Sequence, residues 1–381
     1  MKITIIFLMM ISSFISLSFG TENKIKIAVS LRFNDGYNTT VERIYRGIET
    51  AKEVFEAKNH NTSIFIKKYA HDTDLQSVLK VAQEIVKDKN IAVIGGELSR
   101  ESLIFSDIFN QSNIVFITPT SSNPSVTLNK PFAFRACFSD DIVANLLANF
   151  TYKDLKPKNI GVIHNVSSPY TDFLSKEFIS KFSSLTTTNP LIKIFEYKTL
   201  ADTPSYENEI KDMIAHDVTH VILLTHDDDL LRFVTQASKY NFFPVFVGSD
   251  GWGPSKPIFD RLVNNSKYGD KFIAYHNVYW KEDSKSGLST DFRKFFVKKY
   301  KNDPDAWNAI GFDSAYVLFT SIKNIKGEIT SKSIQKSLKN ISNLNLVTNN
   351  NFSFNSNNSP LSGMNIYQIS KSGIKYEATL K

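Results

Sequence analysis

Ile91-Ala92-Val93-Ile94-Gly95-Gly96-Glu97-Leu98-Ser99 is the stretch on which the fold turns. Its first four residues are apolar without alternation, which predicts a strand buried on both faces. Two glycines then end it, and residues 102–109 carry apolar side chains at helical spacing. A buried strand running through a glycine turn into a helix is one unit of a parallel sheet covered by helices. The same alternation extends outward in both directions. Upstream, strands are predicted at residues 25–29 and 63–66, with helices at 41–57 and 74–86. Downstream, residues 114–117 form another apolar strand. The pattern then restarts: strands at 159–163, 192–195, 218–224 and 245–247 alternate with helices at 172–182, 206–215 and 230–238. Two α/β units are expected, each with its own sheet. Residues 291–300 and 306–325 add helices that must pack on one of them. The Asn/Ser-rich run after Leu344 reads as turns, closed by a strand at 366–369.

Composition removes several classes of function. The 381 residues suffice for two domains, and 42% hydrophobic with 22% charged residues is a globular balance, neither disordered nor a membrane bundle. The net charge of +7 is spread among acids, as around Lys67-Lys68 and Lys298-Lys299, without the concentrated stripe and stacking aromatics of a nucleic-acid binder. Met1-Lys2, the apolar run to Leu17 and Ser18-Phe19-Gly20 have the three-part form of a secretory signal over residues 1–20. No later stretch reads as a bilayer span, so the mature chain is expected outside the cytoplasm without membrane insertion. Cys137 is the single cysteine, too few for an internal disulfide, and its apolar surroundings predict a buried, inert thiol. No cysteine ends the signal to carry a lipid.

Four further stretches carry a resemblance. Val93-Ile94-Gly95-Gly96 with Ser99, Ile117-Thr118-Pro119-Thr120-Ser121-Ser122-Asn123-Pro124, Phe134-Arg135-Ala136-Cys137-Phe138-Ser139-Asp140-Asp141, and Val247-Gly248-Ser249-Asp250-Gly251-Trp252-Gly253 occur in that order, followed by a helix with Asp313. Together they resemble the type I periplasmic solute-binding proteins of the leucine/isoleucine/valine-binding family. The resemblance implies two doubly wound parallel-sheet α/β lobes joined by three hinge crossings, near residues 138–141, 273–277 and 344. Lobe 1 would comprise residues 24–139 plus 276–344, and lobe 2 residues 140–275 plus 345–381. A small ligand, an amino acid or related amide, would sit between them at the carboxyl ends of the strands, where open α/β sheets bind. No cofactor is implied. The partner implied is an inner-membrane ABC permease, the compartment is the periplasm, and the mature chain is expected to be a monomer.

The residues at those strand ends suit an amino acid. Gly95-Gly96-Glu97-Leu98-Ser99 presents backbone N–H groups and a helix N-terminus to a carboxylate, and Ser121 and Ser122 follow a second strand end with similar donors. By the resemblance, Ser99, Ser121 and Ser122 hold the ligand's carboxylate and amino group; ordinary helix capping by Ser99 and Ser122 is the alternative. Asp250 matches an acid that takes the ammonium, against a simple turn role for Ser-Asp-Gly. Tyr170 and Trp252 are expected over the ligand, with core packing as the alternative for each. His226 departs from the family pattern and is kept as a ligand-binding candidate, whereas Asp227-Asp228-Asp229 after it suit the start of a helix. The first loop, with Tyr37, Thr39 and Thr40, also departs from the pattern.

Other chemistries fit poorly. His216, His220 and His226 would need a helix to share a metal, and a strand begins near Val218. Gly251-Trp252-Gly253-Pro254-Ser255-Lys256 lacks the glycine spacing of a nucleotide loop, and no nucleophile elbow is present. Asp140-Asp141 reads as the cap of a helix starting at Ile142 rather than as a catalytic pair. No enzyme is expected. The two functions that remain are a binding protein feeding an ABC importer and a ligand sensor that docks on a signalling receptor.

Overall fold

The computed structural model describes residues 23–33, 39–60, 62–187, 189, 191–200, 203–253, 256–281, 287–361 and 363–380. The expected signal at residues 1–20 and Tyr37 lie outside these, as does the side chain of Thr39. Two sheets carry the fold. The first, in the order β2-β1-β3-β4-β5, comprises Asn23–Leu31 (β1), Thr62–Ala70 (β2), Ala92–Gly95 (β3), Val115–Thr118 (β4) and Ala133–Arg135 (β5), all parallel. Helices Thr39–Lys58 (α1), Leu75–Lys87 (α2) and Ser99–Gln111 (α3) connect its strands. Every residue of β3 and β4 is buried, as their unbroken apolar runs require.

The second sheet runs β12-β11-β10-β9-β8-β6-β7. Its parallel part is Asn159–Asn165 (β6), Lys193–Thr199 (β7), His220–Leu223 (β8), Val245–Val247 (β9) and Ile273–Val278 (β10). Met364–Ser370 (β11) and Gly373–Leu380 (β12) extend it antiparallel. Its helices are Asp140–Phe150 (α4), Pro169–Thr186 (α5), Glu207–Ala215 (α6), Asp227–Ala237 (α7) and Lys256–Val263 (α8). The two-lobed, doubly wound α/β architecture is therefore present.

Gly287–Tyr300 (α9), Ala306–Lys323 (α10) and Ser331–Lys339 (α11) pack on the first lobe. Helix α10 is buried along most of its length because it lies against α1 at backbone distance. A Cβ on Gly47 would stand 2.0 Å from the Asn308 carbonyl oxygen, and one on Gly311 2.2 Å from that of Ile44. Only glycine permits this crossing.

Chain segments change lobe at places somewhat different from those expected. Ala136, Cys137 and Phe138 already pack in the core of the second sheet. Strand β10 pairs with that sheet through Val278, past the expected boundary at 276. Leu346, Val347 and Phe352 remain in the first core, past 344, because the buried Asp313 carboxylate accepts the Val347 and Thr348 N–H groups at 2.8 and 2.7 Å. Strands β5 and β12 and helices α8 and α11 are short or weakly apolar, and the periodicity did not reveal them.

Of the buried histidines of the second lobe, His276 and His220 have no acid beside them, unlike His164, which contacts Asp172 and Glu196. His276 sits between Trp252 and Phe259 with its Nδ1 unpartnered, and burial holds its imidazole down at about 3; burial holds His220 at about 4. In the unfolded chain both take up protons near pH 6.5. Stability is unaffected by them above about pH 7 and falls as pH drops from 6.5, since only the unfolded chain gains the protons. At pH 5 the cost is about 2 kcal/mol for each. In urea unfolding at pH 7 and pH 5, His276→Gln is expected to lose that much less stability than wild type; an unchanged difference would overturn the assignment.

Candidate ligand-binding site

The first wall is built on the turn after β3. Gly96 has φ +68°, and a Cβ on Gly95 would meet the Ser30 carbonyl oxygen at 2.1 Å, so the turn depends on both glycines. The Gly96 carbonyl accepts hydrogen bonds from the hydroxyls of Thr118 (2.7 Å), Ser121 (3.0 Å) and Ser102 (3.1 Å). Ser121 Oγ also lies 2.7 Å from Ser102 Oγ, so its hydroxyl is engaged inside the wall. Ser99 is the first residue of α3 rather than its cap, which is Leu98, and its hydroxyl accepts the Asn123 N–H at 3.4 Å. Ser122 caps no helix either; its carbonyl accepts the Asp140 N–H at 3.0 Å.

Arg135, the last residue of β5, holds this wall from beneath. It is fully buried and donates to the carbonyls of Ser121 (3.2 Å), Ser122, Asn123 (2.7 Å) and Pro124 (3.2 Å) and to Thr127 Oγ1 (3.0 Å). Burial pulls its guanidinium below the ordinary arginine value, while the neighbouring Asp140 and Asp141 charges oppose that.

The second wall centres on Asp250, which opens the 3-10 turn after β9. Tyr170 Oη lies 2.6 Å from Ser249 Oγ, donates to Asp250 Oδ1 at 3.3 Å, and accepts the Gly251 N–H at 3.2 Å. Tyr279, just past β10, donates its hydroxyl to the other Asp250 oxygen. Burial raises the Asp250 carboxyl above the usual range, and the two phenols lower it in part. A small cavity of about 10 Å³, enough for about one water, is lined by Asp250, Asn277, Tyr279 and Trp307 among others. The walls touch directly, since Asn123 Nδ2 donates to the Pro169 carbonyl at 2.7 Å. Gly253, at φ +52°, faces α10 so closely that a Cβ would lie 2.7 Å from the Trp307 indole.

Two α/β lobes in contact through a polar cleft are a binding architecture, and the profile of the periplasmic binding protein family matches residues 24–374. The chain belongs to that family. Among individual periplasmic binding proteins, the chain is similar to Leu/Ile/Val-binding protein homolog 3 of Brucella melitensis, 28% identical over 127 residues. That match spans 32% of this chain and 34% of the relative, so the chain aligns with only about a third of the curated relative's length. The fold is similar to that of a leucine binding protein, LivK, from Thermotoga maritima, with TM-score 0.81 and 20% identity over 94% of this chain and 99% of the other. It is also similar to that of the branched-chain amino acid transporter substrate binding protein LivJ from Streptococcus pneumoniae, solved in complex with isoleucine, with TM-score 0.79 and 17% identity over 94% and 99% of the two chains. The family is one of binding proteins rather than enzymes. Among the described residues no helix is long and apolar enough to cross a membrane.

For this periplasmic binding protein the structure sorts the candidates expected from sequence. Tyr170 and Asp250 meet directly. Ser99, Ser121 and Ser122 line the facing wall together with Asn123. His226 is exposed at the start of α7, its ring 6.0 Å from that of Tyr170. Trp252 is not at the cleft: it is buried in the second core, stacked on His276, and a Cβ on Gly248 would stand 2.2 Å from its ring. Packing is the role the structure gives Trp252. Asp229 is engaged by Tyr206 (2.9 Å) and Arg232 (2.9 Å) within its own lobe. Among the described residues no group of His, Cys, Asp or Glu is placed to hold a metal. Cys137 is buried, and burial pushes its thiol far up. Tyr279, Asn123 and the supporting role of Arg135 were missed from sequence. Tyr279 stands directly after a strand end, which is the available signal, but in the sequence residues 273–277 read as a hinge crossing.

Proposed function

We propose that this protein is exported by the signal at residues 1–20, captures an amino acid between its lobes and delivers it intact to an inner-membrane ABC importer. The observation that carries the reading is Asp250: a buried carboxylate, oriented by Tyr170 and Tyr279, opposite a wall of serine hydroxyls and backbone amides. Such an arrangement suits a ligand with a positive group at one end and a negative group at the other. Ser99, Ser122, Tyr170, His226 and Asp250 are the binding residues of this proposal, with Ser121 holding its loop in shape. The branched-chain and amino-acid ligands in the names of the relatives agree with it. Ligand bridging the walls stabilises the closed arrangement, which the permease then reads. The test is thermal denaturation of the protein with each common amino acid, followed by calorimetric titration of those that raise the midpoint. A ligand at a hundred times its Kd adds about 2.7 kcal/mol. A panel in which no amino acid shifts the midpoint rejects the reading.

A further inference from the structure

The loop between β6 and α5, residues 166–168, joins a buried histidine to the ligand cleft. His164 is fully buried near the end of β6. Its Nδ1 lies 2.6 Å from Glu196 Oε1 on β7, and its Nε2 lies 2.7 Å from Asp172 Oδ1 in the first turn of α5. Ser168 stands at the N-cap of α5 without a side-chain capping bond. Two side-chain contacts therefore hold the entry of this helix: His164 to Asp172, and Thr171 Oγ1, which donates to the Asn165 carbonyl at 2.6 Å. The residues just ahead of them face the cleft. The Pro169 carbonyl accepts Asn123 Nδ2 from the other lobe, and the Tyr170 hydroxyl donates to Asp250 and accepts the Gly251 N–H. One turn of helix thus carries both the histidine contact and the tyrosine that sets the second wall. The charged groups around His164 are Asp172 and Lys176 on α5 and Glu196 and Lys198 on β7, Lys198 being its register partner. Strand β8, on its other side, presents Leu223 and then Leu224.

We propose that His164 is the positioning residue for Tyr170, and that its second N–H makes the second wall of the cleft respond to pH. This rests on the amino-acid reading above and adds a control to it. A neutral imidazole has one N–H, so it donates to one carboxylate and turns a lone pair toward the other; only the imidazolium donates to both. Each bond joins a charged acceptor to a ring shielded from water, where such bonds are strong. When the proton leaves, the acids compete for the one N–H that remains. Lys176 Nζ, 2.7 Å from Asp172 Oδ2, still neutralises Asp172. Glu196 has no other partner among the described residues, so the remaining N–H stays on Nδ1 for Glu196. Asp172 then faces a lone pair, draws back toward Lys176, and the turn carrying Tyr170 loses its tie to β6. The clamp is whole at low pH and opens as pH rises. Ligand affinity therefore falls with rising pH, by about three- to tenfold, since only part of one charge-assisted bond is transmitted to the cleft.

The experiment measures the affinity of the full chain for the tightest binder among the twenty common L-amino acids, in steps from pH 5 to pH 8.5. Three variants run beside wild type: His164→Gln, Glu196→Gln, and His216→Gln at an exposed histidine of the same lobe. An amide at position 196 donates to the neutral Nδ1 and leaves Nε2–H for Asp172, so Glu196→Gln should keep its affinity as pH rises. Wild type and His216→Gln should decline about three- to tenfold relative to it. His164→Gln, with no ring proton to lose, should bind throughout about as weakly as wild type does at high pH. Nitrogen-15 spectra of wild type should show both His164 ring nitrogens protonated at the low end and Nδ1 alone at the high end. The same pH dependence in wild type, His164→Gln and Glu196→Gln overturns the inference and leaves the amino-acid reading standing, as does a ring with one N–H throughout. A panel without any binder rejects that reading, and amide hydrogen exchange of residues 168–172 without ligand then decides. Faster exchange at high pH in wild type than in Glu196→Gln supports the inference, and equal exchange overturns it. Should His164→Gln fail to fold, the comparison with Glu196→Gln decides alone.

Discussion

Asp250→Ala is expected to weaken binding of the amino-acid ligand by roughly 2–5 kcal/mol, at least about thirtyfold in Kd. The size follows from burial. Asp250 is shielded from water, so a ligand ammonium facing alanine would leave solvent and gain no counter-charge. The two phenols aimed at Asp250 would lose their acceptor as well. Asp250→Asn separates these effects, because the amide keeps an acceptor for one tyrosine while removing the charge. Calorimetric titration of both variants should show alanine and asparagine nearly equally impaired in binding, with asparagine closer to wild type in thermal stability. Wild-type affinity in either variant would show that the ammonium is held elsewhere.

The second large effect concerns folding. Arg135→Met is expected to cost about 3–5 kcal/mol of stability, since it removes five hydrogen bonds from a charged donor, each worth about 1.5–3 kcal/mol before the loop relaxes. Methionine matches the length of the arginine stem but removes the donor that ties the carbonyls of residues 121–124 together; those of Ser122, Asn123 and Pro124 keep backbone N–H partners, whereas that of Ser121 loses its donor. Arg135→Lys should recover less than half of the loss. A lysine has three donors at one point and cannot span five acceptors as a planar guanidinium does. Urea unfolding measures both, and a loss below about 1 kcal/mol for methionine would show that the loop carries itself. The loop contributes Ser121, Ser122 and Asn123, so a folded methionine variant should also bind its ligand poorly.

Much of this fold could be read from strand patterning. Unbroken apolar runs such as Val115-Phe116-Ile117 have no exposed face to offer, which forces a helix-covered parallel sheet. Strand ends then locate a cleft, and the family resemblance assigns Asp250 and Tyr170 to it. What stayed hidden depends on contacts between distant segments. The lobe to which residues 346–352 belong is decided by Asp313, more than thirty positions away. Trp252 and Asp250 stand two residues apart on one turn, yet one faces the core and the other the cleft, and no periodicity resolves a three-residue turn. Asp140 had an adequate local explanation as a helix start, which concealed that its carboxylate reaches no backbone donor. The crossing of α1 and α10 rests on Gly47 and Gly311, each of which alone looks like an unfavourable helix residue.

The contact between Gly253 and Trp307 has a mechanical corollary. A rigid indole on the first lobe rests against bare main chain of the second, with no side chain between them to bend or compress. In the proposed binding cycle this contact would be the stop on which closure ends, with its spacing set by an aromatic ring. Under that proposal the distance between the walls would be fixed by the frame here and not by the solute.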